Sequence, residues 1–84
     1  AICASPAIVL HHHGLLADRK ATAYPGMAEQ LPNTESIESR VVVDNNCITS
    51  QGPGTAMEFA LKLVEALYGE QMAKNIAESM LVTY

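Results

Sequence analysis

Ala1-Ile2-Cys3-Ala4-Ser5-Pro6-Ala7 is the stretch on which the fold reading turns. Its first three residues are apolar and fit the end of a buried strand. Small residues follow, and Pro6 suits the first turn of a helix, where its missing N–H costs nothing. Cys3 then falls at a sharp strand-to-helix turn with its sulfur facing the helix N-terminus. Unpaired N–H groups and the positive end of the helix dipole favour a thiolate there. This is the principle of a nucleophile elbow with sulfur in place of oxygen. Free cysteines are also among the most buried residues, so a packing role is the alternative the residues leave open.

Outward from the elbow, residues 6–13 read as a short helix buried on more than one side and closed by Gly14. Residues 20–24 read as a short strand ended by Pro25-Gly26. One or two helical turns fit residues 26–31 before Pro32, and residues 33–39 are a polar surface loop. Arg40-Val41-Val42-Val43 and Cys47-Ile48-Thr49-Ser50 flank Asp44-Asn45-Asn46, which predicts a hairpin. A helix follows over 55–68, with Glu58, Lys62 and Glu65 on one stripe and apolar or small residues elsewhere. That composition predicts packing on most of its circumference. Gly69 closes it, and 70–81 form a second amphipathic helix with Met72, Ala73, Ile76, Ala77 and Met80 on one face. Short strands alternating with helices indicate an α/β sandwich, with helices on both faces of a mainly parallel sheet.

Eighty-four residues make one small domain with a limited core. The net charge of −4 supplies no basic face, which argues against nucleic acid and anionic membranes as partners. No apolar run approaches a membrane span. Two cysteines, Cys3 and Cys47, and no signal peptide fit a reducing, cytoplasmic setting better than a disulfide scaffold. His11, His12 and His13 are consecutive, and successive helical side chains diverge by about 100°, so they cannot converge on one metal. No metal and no cofactor is expected. Gly-Pro-Gly lacks the spacing and lysine of a phosphate loop.

Two stretches resemble the ThiJ/PfpI family. AICASPA is similar to its cysteine elbow, and Ile48-Thr49-Ser50-Gln51-Gly52-Pro53-Gly54-Thr55-Ala56-Met57-Glu58-Phe59-Ala60-Leu61 to its strand running through Ser-x-Gly-Pro-Gly-Thr into a long helix. The resemblance covers nearly the whole chain in order. It implies a flavodoxin-like three-layer α/β sandwich, with the elbow at the carboxyl end of a central strand. Residues 1–84 would be the C-terminal half of a single domain of about twice this length. The chain lacks an initiator Met and starts inside what reads as a strand, so an N-terminal half of the same protein is the expected partner, together with a homodimer.

Cys3 is the candidate nucleophile, and the N–H of Ala4 a natural oxyanion donor for a carbonyl adduct. A thiolate there can add to an aldehyde or be oxidised to sulfinate, and both chemistries stay open. The resemblance implies a glutathione-independent glyoxalase or protein deglycase acting on small aldehydes of the methylglyoxal type. It also implies a protonated glutamate, supplied by the N-terminal half, beside the sulfur. The alternatives are an oxidative-stress sensor or chaperone and an inactive cleaved fragment. Ser50, Gly52 and Pro53 match the second signature, which in the family runs close to the cysteine and contributes to substrate binding.

Two positions depart from branches of the family. Ala4 replaces the histidine of the protease-like branch, which argues against a Cys-His peptidase. Tyr24 stands where one branch has a pocket histidine before the proline. Its phenol can donate a hydrogen bond, but an unperturbed pKa near 10 makes it a poor base at neutral pH. An aromatic capping the sheet edge is the other reading of Tyr24.

Overall fold

β-Branched runs on either side of a polar turn build the sheet. The computed structural model describes residues 1–84. Strands β1 (Val41–Asp44) and β2 (Cys47–Ser50) pair antiparallel, Val41 opposite Ser50 and Asp44 opposite Cys47. The turn is therefore Asn45-Asn46, and Asn45 takes φ +54, a left-handed conformation that asparagine tolerates. The two-residue period of a strand shows in the burial: Val42 and its partner Thr49 are buried, while Val43 is exposed.

Helices α1 (Ala56–Tyr68) and α2 (Glu70–Ser79) follow, divided by Gly69 at φ +96. α1 packs on both strands and α2 lies on α1. Thr55 belongs to a single 3-10 turn, Pro53–Thr55, that leads into α1. α2 ends before residue 81 because Leu81 turns back at φ +60 and the Val82 N–H donates to the Ala77 carbonyl at 2.9 Å. On its apolar face Ala73 and Ala77 are buried, but Met72 and Met80 are exposed.

Three expectations need correction. Residues 20–24 form no strand. The N–H groups of Lys20 and Thr22 donate to side chains, Asp44 Oδ2 (2.8 Å) and Thr49 Oγ1 (3.0 Å), rather than to a backbone ladder. The first helix is shorter, a π-helix over Pro6–His11 with turns running on to Gly14 at φ +73, and it leaves Ile8 and Val9 exposed. Before Pro32 the single 3-10 turn Ala28–Gln30 agrees with the one or two turns expected there, and Leu31 is driven extended by the proline that follows it. Finally, α1 is not packed on most of its circumference: Leu61 is 1% exposed, but Leu67 is 76% exposed.

Within these residues the sheet is the antiparallel pair plus one parallel bridge, Ile2 to Ser50. The core gathers under the π-helix from Ala7, Leu16, Ala21, Ala23, Ala28 and Leu31, with Cys47 at its margin. Alanines fill most of it, so it buries little apolar area per residue.

Candidate active site

The elbow is built by three segments that meet at Cys3. Ile2 bridges Ser50 in parallel, the Ser50 N–H donates to the Ala1 carbonyl (3.1 Å), and the Cys3 N–H donates to the Ser50 carbonyl (3.1 Å). From the other side the Tyr24 N–H donates to the Cys3 carbonyl at 2.7 Å. Both backbone groups of Cys3 are thus committed. Between them the residue takes φ +64, a left-handed conformation that a side chain with a Cβ adopts at a cost of order 1 kcal/mol. The strain reverses the chain between the Ile2 bridge and Pro6, which opens the π-helix with Ala7 and Ile8 N–H groups both on the Ala4 carbonyl. The expected sharp strand-to-helix turn is present.

The Ala4 N–H has no acceptor in the chain, whereas its neighbours Cys3 and Ser5 donate to Ser50 and Ile2 carbonyls. It is a free donor on the residue that follows Cys3. Cys3 and Ala4 are both half-exposed. Cys3 lines none of the three clefts of the chain.

Tyr24 is brought to the elbow by its backbone bond and lays its half-exposed ring over Gly52. A Cβ built on Gly52 would stand 3.4 Å from Tyr24 Cδ1, an ordinary van der Waals contact, so the ring's approach does not by itself demand glycine. Pro53 is exposed and starts the 3-10 turn. Ser50 is fully buried, its hydroxyl donating to the Arg40 carbonyl at 2.6 Å and lying 2.6 Å from Thr55 Oγ1. Cys3, Ala4, Tyr24, Ser50 and Gly52 therefore form one group, reached from three parts of the sequence. Sequence reasoning missed Thr22, Thr49, Thr55 and Arg40, which hold that group from behind. The signal for Thr55 was present in Gly-Pro-Gly-Thr, but only as a helix start.

Cys47 lies half-buried in β2 and borders a separate apolar groove of about 430 Å³ with Leu10, Leu15, Ile48 and Leu63. The histidines do not converge: His12 and His13 meet edge-on, ring centroids 5.0 Å apart. No group of three or more histidine, cysteine or carboxylate side chains is arranged to hold a metal. No helix is long and apolar enough to cross a membrane.

An open cleft of about 580 Å³ that Cys3 does not line is bordered by Arg40, Glu58, Lys62, Glu65, Glu70 and Lys74. Its charges are spent on one another, as Arg40 pairs with Glu58 (2.7 Å), Lys62 with Glu65 (3.2 Å) and Lys74 with Glu70 (2.9 Å). The Tyr84 hydroxyl donates to Glu65 at 2.9 Å. That bond, then the Lys62 ammonium, holds the Glu65 carboxyl below the usual carboxylate range.

Comparison with known proteins gives this arrangement its context. The family model described as the DJ-1/PfpI family matches residues 1–66. Protein DJ-1 homolog B of Arabidopsis thaliana is 52% identical over 98% of the chain, which corresponds to 19% of that protein. A Caenorhabditis elegans protein named glutathione-independent glyoxalase DJR-1.2 is 37% identical over 95% of the chain and 43% of its own length. The solved structure of oxidized Toxoplasma gondii DJ-1 superposes with a TM-score of 0.93 at 54% identity, covering 100% of this chain and 46% of that one. The chain thus spans between about a fifth and just under half of the length of these relatives. Its α/β piece has the flavodoxin-like fold of those structures.

Proposed function

The chain belongs to the DJ-1/PfpI family, and from that premise we propose that its whole protein is a cysteine-dependent, glutathione-independent glyoxalase acting on aldehydes of the methylglyoxal type. The observation that carries the reading is Cys3 at φ +64 with the unpartnered Ala4 N–H beside it. The name of the Caenorhabditis elegans relative supports the reaction class.

The Cys3 thiolate adds to the aldehyde carbon, and the new alkoxide takes a proton or is held by the Ala4 N–H. Proton movement from the former aldehyde carbon to the neighbouring carbonyl carbon, through an enediol, converts the hemithioacetal to a thioester. Water then releases the hydroxy acid and restores the thiol. Carbon is oxidised at one position and reduced at the next, so no external oxidant is needed. Tyr24 borders the pocket and offers a hydrogen bond. Gly52 and Pro53 border the approach through backbone, and Ser50 serves the site indirectly, its carbonyl holding the Cys3 N–H.

The same adduct chemistry on early glycation products would give a deglycase activity. An N-terminal companion segment of the whole protein completes the site with a carboxylic acid beside the sulfur, and two copies form a dimer in the cytoplasm. The apolar surface left open on α1 supports a covering partner. Native mass spectra that show only a monomer of the whole protein would remove the dimer from this proposal.

The test of the catalytic reading is lactate formation from methylglyoxal without glutathione, which Cys3→Ser should abolish. A second reading is favoured by the oxidised state named for the Toxoplasma gondii relative. In it Cys3 is a sensor of oxidative stress, with a chaperone role: one peroxide converts the thiol to sulfenic acid plus water, and a second gives sulfinic acid plus water. It predicts sulfinate on Cys3 at low peroxide while Cys47 stays reduced, and equal oxidation of both counts against it. An inactive fragment is the reading left if the whole protein neither turns over nor oxidises selectively.

A further inference from the structure

Behind the elbow runs a chain of buried hydrogen bonds whose direction can be worked out atom by atom. The Arg40 carbonyl can only accept, so the Ser50 hydroxyl spends its hydrogen there, at 2.6 Å. Ser50 Oγ must then be the acceptor toward Thr55 Oγ1, also at 2.6 Å, and the Thr55 hydroxyl shares its one hydrogen between Ser50 Oγ and the Gly52 carbonyl, 3.0 Å away. Thr55 Oγ1 in turn accepts the Gly52 N–H at 3.1 Å. The order is Gly52 N–H to Thr55, Thr55 to both Ser50 and the Gly52 carbonyl, and Ser50 to the Arg40 carbonyl. Ser50 is 0% and Thr55 5% exposed, and no buried side-chain polar atom in the molecule lacks a partner. Each link polarises the next, and the burial of Ser50 and Thr55 keeps water from competing at the bond between them.

The far end is anchored too. The Arg40 guanidinium donates to the Gly54 carbonyl (3.0 Å) and to Glu58 (2.7 Å), closing the loop 50–55 onto β1 and α1. At the near end the backbone of Ser50 grips both sides of the elbow, its N–H on Ala1 and its carbonyl on the Cys3 N–H. Whatever fixes Ser50 therefore fixes where the strained Cys3 backbone sits, and with it the direction of the Ala4 N–H.

We infer that Thr55 is a positioning residue for Cys3, acting through the Ser50 hydroxyl and carbonyl without touching substrate. This rests on the reading of Cys3 as nucleophile. Thr55→Val keeps the shape and removes the hydroxyl, leaving the Gly52 N–H without an acceptor and Ser50 Oγ without its donor, so that the Arg40 carbonyl alone holds the Ser50 hydroxyl. Small errors of placement at a reacting centre are costly, so kcat for methylglyoxal falls about tenfold while KM stays within about twofold. Thr55→Ser restores kcat.

The second readout does not depend on the reaction. In the whole protein, the Cys3 amide, bonded to the Ser50 carbonyl, exchanges with solvent deuterium about tenfold faster in Thr55→Val, while amides in the middle of α1 keep their rates. Unchanged Cys3 exchange in a folded Thr55→Val protein overturns the inference. So does a Thr55→Ser protein that exchanges as fast as Thr55→Val. Should Thr55→Val fail to fold, Thr55→Ser decides alone: wild-type exchange at Cys3 supports the hydroxyl chain, and a tenfold rise contradicts it. If Cys3→Ser keeps full turnover, the catalytic reading fails, and the exchange experiment still judges the hydroxyl chain.

Discussion

The elbow and the C-terminal helical pair are held together by opposite means. Around Cys3, three segments far apart in sequence meet through short hydrogen bonds to backbone groups, and the hydroxyls of Thr22, Thr49, Ser50 and Thr55 are buried and satisfied. In α1 and α2 the inward contacts come from Leu61, Ala73 and Ala77, the outer faces carry exposed Leu67, Tyr68 and Met72, and the polar contacts are surface ion pairs. Directional bonds in a water-free setting fix atoms to fractions of an ångström, whereas apolar burial fixes elements and tolerates sliding. Solvated ion pairs contribute at most about 1 kcal/mol each. The comparison teaches that positional accuracy is concentrated at the elbow, while the helices supply attachment and an apolar surface.

Variants in the helices should therefore separate stability from chemistry. The largest effect is expected at Leu61, the most buried side chain of α1. Leu61→Ala should cost about 2–5 kcal/mol of stability by denaturant unfolding. The folded fraction should keep the wild-type rate of alkylation at Cys3. A loss of thiol reactivity in step with stability would break the contrast, since it would make the elbow depend on helix packing.

A smaller effect is expected at the tail. Tyr84→Phe removes the first of the two contacts that depress the Glu65 pKa. Its NMR titration should then move up toward the ordinary carboxylate value. The sign follows from the depression. Glu65 favours the folded state above the ordinary carboxylate range, and this contribution is lost as pH falls through its depressed folded value. Wild type and Tyr84→Phe should thus differ least in strong acid, and turnover at neutral pH should be the same. An unmoved Glu65 titration would show that Lys62 alone sets it.

The same division explains what could be read from the sequence. The hairpin was legible because two β-branched runs flank turn-forming asparagines, and α1 because its polar stripe has helical spacing. The elbow was legible from Cys3 among small residues followed by Pro6. Residues 20–24 were not, because their strand-like composition is local while the acceptors of their N–H groups, Asp44 and Thr49, come from the hairpin. The extent of burial on α1 was misread for a related reason: apolar composition shows that a face can be covered, and not that it is. The tail gave no signal, since Tyr84 reaches Glu65 across nineteen positions. Thr55 looked like a helix start, and its link to Ser50 appears only when the turn brings both hydroxyls together.

The most direct measurement of the central claim is steady-state lactate production from methylglyoxal, without glutathione, by the whole protein and its Cys3→Ser and Cys47→Ser variants. The elbow account predicts a fall of more than about 10³-fold for Cys3→Ser, at a melting temperature close to wild type, and little change for Cys47→Ser. Retained turnover in Cys3→Ser, or an equal loss in both variants, would contradict it.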